Sequence, residues 1–78
     1  MNKARRAILT KVCGSLVDLQ EEVSTVHDGE EEAMENMPEN MQSSDRHDDM
    51  EMAVGILEEA NDMFDELMGK LKEIDGVG

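Results

Sequence analysis

The chain has few of the residues that build strands, disulfides or nucleic-acid-binding surfaces. Among its 78 residues, Phe64 is the only aromatic residue, Cys13 the only cysteine and Pro38 the only proline. A single cysteine excludes an internal disulfide, and a free thiol is typical of reducing, cytoplasmic surroundings. Seven basic residues against 20 acidic ones give a net charge of −13. Direct nucleic-acid binding, which requires clustered Lys and Arg, is therefore not expected.

Long apolar runs are also missing. No segment approaches the roughly 18 apolar residues that a membrane span requires, so we expect a soluble, cytoplasmic protein with no membrane partner. A chain this short buries little surface, and without disulfides the usual remedy is oligomerisation.

Two patterns of apolar residues are the main feature of the sequence. In each half of the chain, apolar residues recur at alternating spacings of three and four, which places them on one stripe of a helix and favours packing against another helix. Met, Leu, Ala and Glu, which favour helices, are abundant as well. The predicted helix–helix core is Leu9, Val12, Leu16, Leu19, Val23, Val26, Leu57, Ala60, Phe64, Leu67, Leu71 and Ile74.

The segment between the patterns predicts a chain reversal. Pro38 disfavours helical geometry at the preceding residue, and Ser44 is a good N-cap for a second helix. The two stripes face each other residue by residue, with Leu9 opposite Ile74, only if the chain turns near Met41. We therefore predict an all-α, antiparallel, coiled-coil-like two-helix hairpin. Its single domain spans residues 1–78, with a helix at about 3–37, a turn at about 38–44 and a helix at about 45–75. At Gly29 the first helix either continues with a local weak point or kinks or ends, and a continuous helix is favoured.

The apolar width and the charge pattern predict self-association. Ile8, Val17, Ile56 and Met63 lie beside the stripes, and two helices cannot cover so wide a surface. A four-helix bundle made by a homodimer would cover it. A monomer bound to another protein and a larger assembly are the alternatives. Six of the seven basic residues lie near the chain ends, whereas ten acids lie between Asp28 and Glu51, which favours antiparallel pairing of two copies.

The candidate metal-binding and catalytic sites each lack a feature that their chemistry requires. The acids from Asp28 to Glu39 are spaced like a calcium loop, but Ala33 stands where the sharp turn needs glycine. A di-iron bundle needs Glu three residues before His, whereas serines precede both His27 and His47 at that spacing. Cys13 lies beside the apolar stripe and is interpreted as a packed residue. We expect no enzyme activity, no cofactor and no metal.

The turn carries the most specific pattern in the chain. Glu32 and Ala33 are followed by Asn36, Pro38, Glu39, Gln42, Ser44 and Arg46. This pattern resembles a group of short, uncharacterised acidic proteins of phages and mobile elements, in which leucines stand at the positions of Met37 and Met41. The resemblance implies a helical hairpin and a phage or prophage origin, without an established activity.

These observations predict a non-enzymatic structural or protein-interaction module. Its acidic turn is the candidate surface for another protein, through Asn36, Pro38, Glu39, Gln42, Ser44 and Arg46. The alternative is an acidic decoy that occupies the nucleic-acid-binding surface of a host protein, a hypothesis that rests on the net charge.

Overall fold

Two long antiparallel helices form the fold. The computed structural model describes all 78 residues. Helix α1 spans Lys3–Glu35, a short 3₁₀ turn spans Glu39–Met41, and helix α2 spans Asp45–Lys72. The molecule measures 59 × 15 × 11 Å, so it is one helical layer thick. The predicted all-α hairpin is confirmed.

Local sequence explains where each helix begins. The Asn2 side chain caps α1 by accepting a 2.8 Å hydrogen bond from the backbone N–H of Arg5. Ser44 caps α2 in the same way, accepting from the backbone N–H of His47 at 3.3 Å. These side chains satisfy amide groups that have no partner within the helix.

The helices end earlier than predicted. Helix α1 runs without a break through Gly29 but stops at Glu35, two residues before the predicted end at Met37, and Asn36 forms its C-cap. Pro38 accounts for this end, because it pushes Met37 out of helical geometry. Helix α2 stops at Lys72, three residues before the predicted end at Asp75.

The last residues fold back onto α1 instead of extending the helix. Gly76 has a φ of +85°, a conformation that favours glycine, and an added Cβ there would lie 2.9 Å from the Arg6 side chain. The reversal buries Val77, and the Gly78 amide donates a 3.3 Å hydrogen bond to the Thr10 hydroxyl.

The helices face each other in a register close to the predicted one. The expected pairing places Gln20 opposite Met63. In the structure, the Gln20 amide donates to the Asn61 backbone carbonyl at 3.2 Å and to the Asp65 carboxylate at 2.9 Å. These partners lie two residues before and two residues after Met63, so the chain reversal was correctly located.

The seam is the strip of side chains along which the two helices touch. The helices are rotated relative to the predicted seam, which corrects part of the predicted core. Eight of the twelve residues are half-buried, whereas Val12, Leu19, Val26 and Leu67 are exposed in this hairpin. The most buried side chains of the two helices are Cys13, Val54 and Met68. The reason is that the apolar pattern is wider than one seam, so a neighbouring stripe, which includes the polar pair Gln20 and Asn61, can occupy the contact.

The rotated seam leaves very little core. Only Cys13, Val54, Met68 and Val77 are buried, and no side chain is fully buried. The chain exposes 5793 Å², about a fifth more than the roughly 4,700 Å² expected for a compact monomer of its mass. We infer that the single hairpin has marginal stability, because burial of apolar surface is the main force that stabilises a fold.

Truncation of Met68 will show how much of that stability comes from the seam. Because Met68 is 7% exposed, we expect Met68→Ala to lower the free energy of unfolding by about 2 kcal/mol, measured by urea denaturation followed by circular dichroism. Val17→Ala is the control, since Val17 is 41% exposed and projects away from the exposed apolar stripe of Ile8, Val12 and Leu19; its effect should stay below about 0.5 kcal/mol. Equal losses in the two variants would contradict this description of the seam.

Candidate functional site

The two faces of the flat hairpin differ in chemistry. At about 100° per residue, His27 lies on the α1 seam and Ser24 projects to one side of it, and Glu58 and Asp65 project from α2 to the same side of the hairpin as Ser24. Contacts across the helices on this side are polar. We call this side the polar face. The opposite side, which carries Leu19 and Leu67, is the apolar face.

A cleft on the polar face surrounds His27. Its imidazole Nδ1 lies 3.0 Å from the carboxylate of Asp28, and Nε2 lies 3.1 Å from the carboxylate of Glu58 on the other helix. Glu31, one helical turn beyond His27, places an oxygen 3.7 Å from the same Nε2. The cleft has a volume of about 280 Å³ and is lined by Ser24, His27, Asp28, Glu58 and Asn61.

The carboxylates change the acid–base properties of the imidazole. The hydrogen bonds that the imidazole donates to the carboxylate of Asp28, and then to that of Glu58, raise the pKa of His27 above its usual value of 6.5, and the negative charge of Glu31 acts in the same direction. Desolvation opposes these effects, since the His27 side chain is only 17% exposed. A protonated His27 is thus held between acids of both helices.

The sequence contains two signals for this cluster that the motif of Glu three residues before His does not include. His27 and Glu31 are four residues apart, so they share one face of α1. The predicted register places His27 opposite Ile56, and Glu58 follows two residues later, which is the same offset that joins Gln20 to Asp65. Only the pairing of the two helices brings Glu58 to His27.

The predicted turn residues mainly build the turn itself. Asn36 caps α1, and Pro38 begins the 3₁₀ segment that includes Glu39. The Gln42 amide donates to the Met37 carbonyl at 3.4 Å, and Ser44 caps α2 while its hydroxyl donates to the Met41 carbonyl.

A shallow cleft at the turn brings some of these residues together. Asn36, Pro38 and Arg46 line it with Ala33, Met37, Met41 and Met50. Glu39 and Gln42 lie outside this lining and are exposed. The turn therefore presents an arginine and acidic side chains around a small apolar patch.

The apolar face carries most of the large exposed side chains. Ile8, Val12, Leu19 and Val26 fall within about 40° of one another around α1, and Ile56, Met63 and Leu67 form the corresponding stripe on α2. Between them, a groove is lined by Ala60, Met63, Phe64 and Leu67. The four core residues that the rotation exposed all lie on this face.

Charge is distributed along the long axis of the hairpin. The open end holds Lys3, Arg5, Arg6, Lys11, Lys70 and Lys72, and the closed end holds ten acids and one basic residue, Arg46. The molecule is thus basic at one end and acidic at the other.

Comparisons with protein-family models, curated proteins and solved structures returned no match. Neither helix contains an apolar stretch of the length that a membrane crossing needs.

Protonation of His27 should stabilise the hairpin in a defined pH range. Because the folded-state pKa is raised above the unfolded value of 6.5, its contribution is fully present below pH 6.5 and is lost as the pH rises through the folded-state pKa. We expect His27→Gln to destabilise the protein more at about pH 6 than at about pH 9 in urea denaturation. His47→Gln is the control, and a pH-independent effect of His27→Gln would contradict the assignment.

Proposed function

We propose that this protein is a non-enzymatic interaction module that acts as a homodimer, in which two hairpins pack through their apolar faces as a four-helix bundle. The observation that carries the proposal is the continuous apolar face of a hairpin that has almost no core of its own. Monomeric proteins rarely expose apolar patches of this extent, and such patches usually mark an interface.

The exposed area fits a second copy of the chain. The surface in excess of a compact monomer is about 1,000 Å² per chain, and a standard interface buries about 800 Å² per partner. The face is also flat and runs along much of the hairpin, as a bundle of four helices requires. A second layer would turn the one-layer hairpin into a structure with an interior.

The bundle would also account for both stripes of the apolar pattern. Within one hairpin, Cys13, Val54 and Met68 are buried at the seam, while Leu19 and Leu67 remain 48% exposed. In the proposed dimer, the first set packs within each hairpin and the second set packs between hairpins. No apolar stripe of the sequence is then left without a partner.

The charges favour an antiparallel arrangement of the two copies. Parallel packing would bring the ten acids of one closed end beside the ten of the other, whereas antiparallel packing places each closed end beside a basic open end. Exposed ion pairs contribute little energy, so the charges select the orientation and the apolar face supplies the stability.

The closed end remains available to another protein in this arrangement. Glu39 and Arg46 are exposed at the turn, beside the small cleft that contains Met37 and Met41. We propose this end as the surface through which a cytoplasmic dimer contacts its partner, and a phage or prophage origin stays a prediction from the turn pattern. The acidic decoy is supported only by net charge, so it remains the alternative.

A charged residue on the apolar face should separate the dimer. We expect a solution mass near twice 8.7 kDa for the wild type and near 8.7 kDa for Leu19→Glu, measured by light scattering coupled to gel filtration. The reason is that a buried, unpaired carboxylate costs more than the apolar contact it replaces.

Val17→Glu is the matched control for charge and exposure. Val17 is 41% exposed and Leu19 48%, but the two side chains project about 160° apart around α1. The Val17 variant should keep the wild-type mass. A helical wild-type monomer, or dissociation of both variants, would contradict the proposed interface.

A further inference from the structure

The cluster around His27 has the composition and spacing of a metal site. Three groups can each offer one ligand atom: the His27 imidazole, Glu31 from the same helix and Glu58 from the other. These ligand atoms all lie within 4.8 Å of one another. We infer that His27, Glu31 and Glu58 bind a divalent transition-metal ion that joins α1 to α2.

The distances can be compared with those that a bound metal would need. In a tetrahedral zinc site with bonds of about 2.0–2.2 Å, ligand atoms stand about 3.4 Å apart. The Nε2 atom of His27 lies 3.1 Å from Glu58 and 3.7 Å from Glu31, on either side of that value. Both glutamates are partly exposed, so their side chains can adjust by a few tenths of an ångström without repacking the seam.

Asp28 places the imidazole in the orientation that a metal ligand requires. Its carboxylate lies 3.0 Å from Nδ1, on the opposite side of the ring from the two glutamates. A carboxylate there holds the proton on Nδ1 and leaves the Nε2 lone pair for the metal, as in carboxylate–histidine–zinc arrangements. The protein supplies three ligand atoms, so a water molecule would take the fourth position of a tetrahedral ion.

The ligand set selects the class of ion. An imidazole with two carboxylates suits Zn²⁺ and similar transition metals, whereas Ca²⁺ and Mg²⁺ prefer all-oxygen sites. The net charge of −13 also attracts any cation, which is why a specific site must be distinguished from diffuse binding.

A second cluster in the same chain provides that distinction. His47, Asp48 and Glu51 also bring ligand atoms within 4.8 Å of one another. All three lie in the first turns of α2, where the positive end of the helix dipole disfavours a cation, and they do not join the two helices. This cluster is therefore a matched control, because it also combines one histidine with two carboxylates.

Zinc titration of the full chain by isothermal calorimetry, at about pH 7.5, tests the inference. We expect one saturable Zn²⁺ per chain, an affinity at least tenfold lower in His27→Gln and in Glu58→Gln, and a loss of about tenfold in Asp28→Asn. His47→Gln should bind within about twofold of the wild type. Circular dichroism will verify that each variant keeps its helices.

Several outcomes would overturn the site. Binding that does not saturate at one ion per chain, or equal losses in His27→Gln and His47→Gln, would indicate diffuse attraction to the acidic surface. Full affinity in Glu58→Gln would show that the metal does not join the helices. In support, zinc should raise the melting temperature of the wild type and leave that of Glu58→Gln unchanged. The site lies on the polar face, so the inference does not depend on the proposed dimer.

Discussion

Two helices packed side by side can shield only one strip of each other from water, and this limit shapes the whole molecule. The hairpin is 11 Å thick in its shortest dimension, the thickness of a single helix. A single layer has no interior, so only four residues are buried and the remaining apolar side chains face outward. In a chain with one cysteine, no internal disulfide compensates for this small core, so the exposed apolar face is the main apolar surface left for a partner to cover.

The polar face and the apolar face arise from the same rotation of the helices. Turning the seam toward Gln20, His27 and Asn61 allows their side chains to form hydrogen bonds between the helices. The same rotation moves Leu19 and Leu67 out of the hairpin and onto its opposite surface. The apolar face and the histidine cluster therefore lie on separate surfaces, and one can be altered without the other.

Because acidic residues greatly outnumber basic ones, the His27 imidazole is surrounded by carboxylates. Most acids lie on exposed surfaces where water screens them, but three carboxylates converge on one imidazole between the helices. A proton or a metal ion can each supply the positive charge that this group of acids requires.

Local chemistry in the sequence was sufficient for the helices, the turn and the antiparallel register. Helix periodicity, Pro38 and the capping residue Ser44 act over a few neighbouring residues, so they can be interpreted without the fold. The rotation of each helix about its own axis, which decides which stripe faces the other helix, could not be predicted, because two adjacent stripes of each helix are both apolar enough to pack. The return of Val77 onto α1 depended on contacts with Arg6 and Thr10, which are almost the whole chain length away. Likewise, the spacing of four residues was enough to place Glu31 beside His27. Glu58 reaches the imidazole only across the helix pair, because side chains 31 residues apart meet only when tertiary packing brings them together.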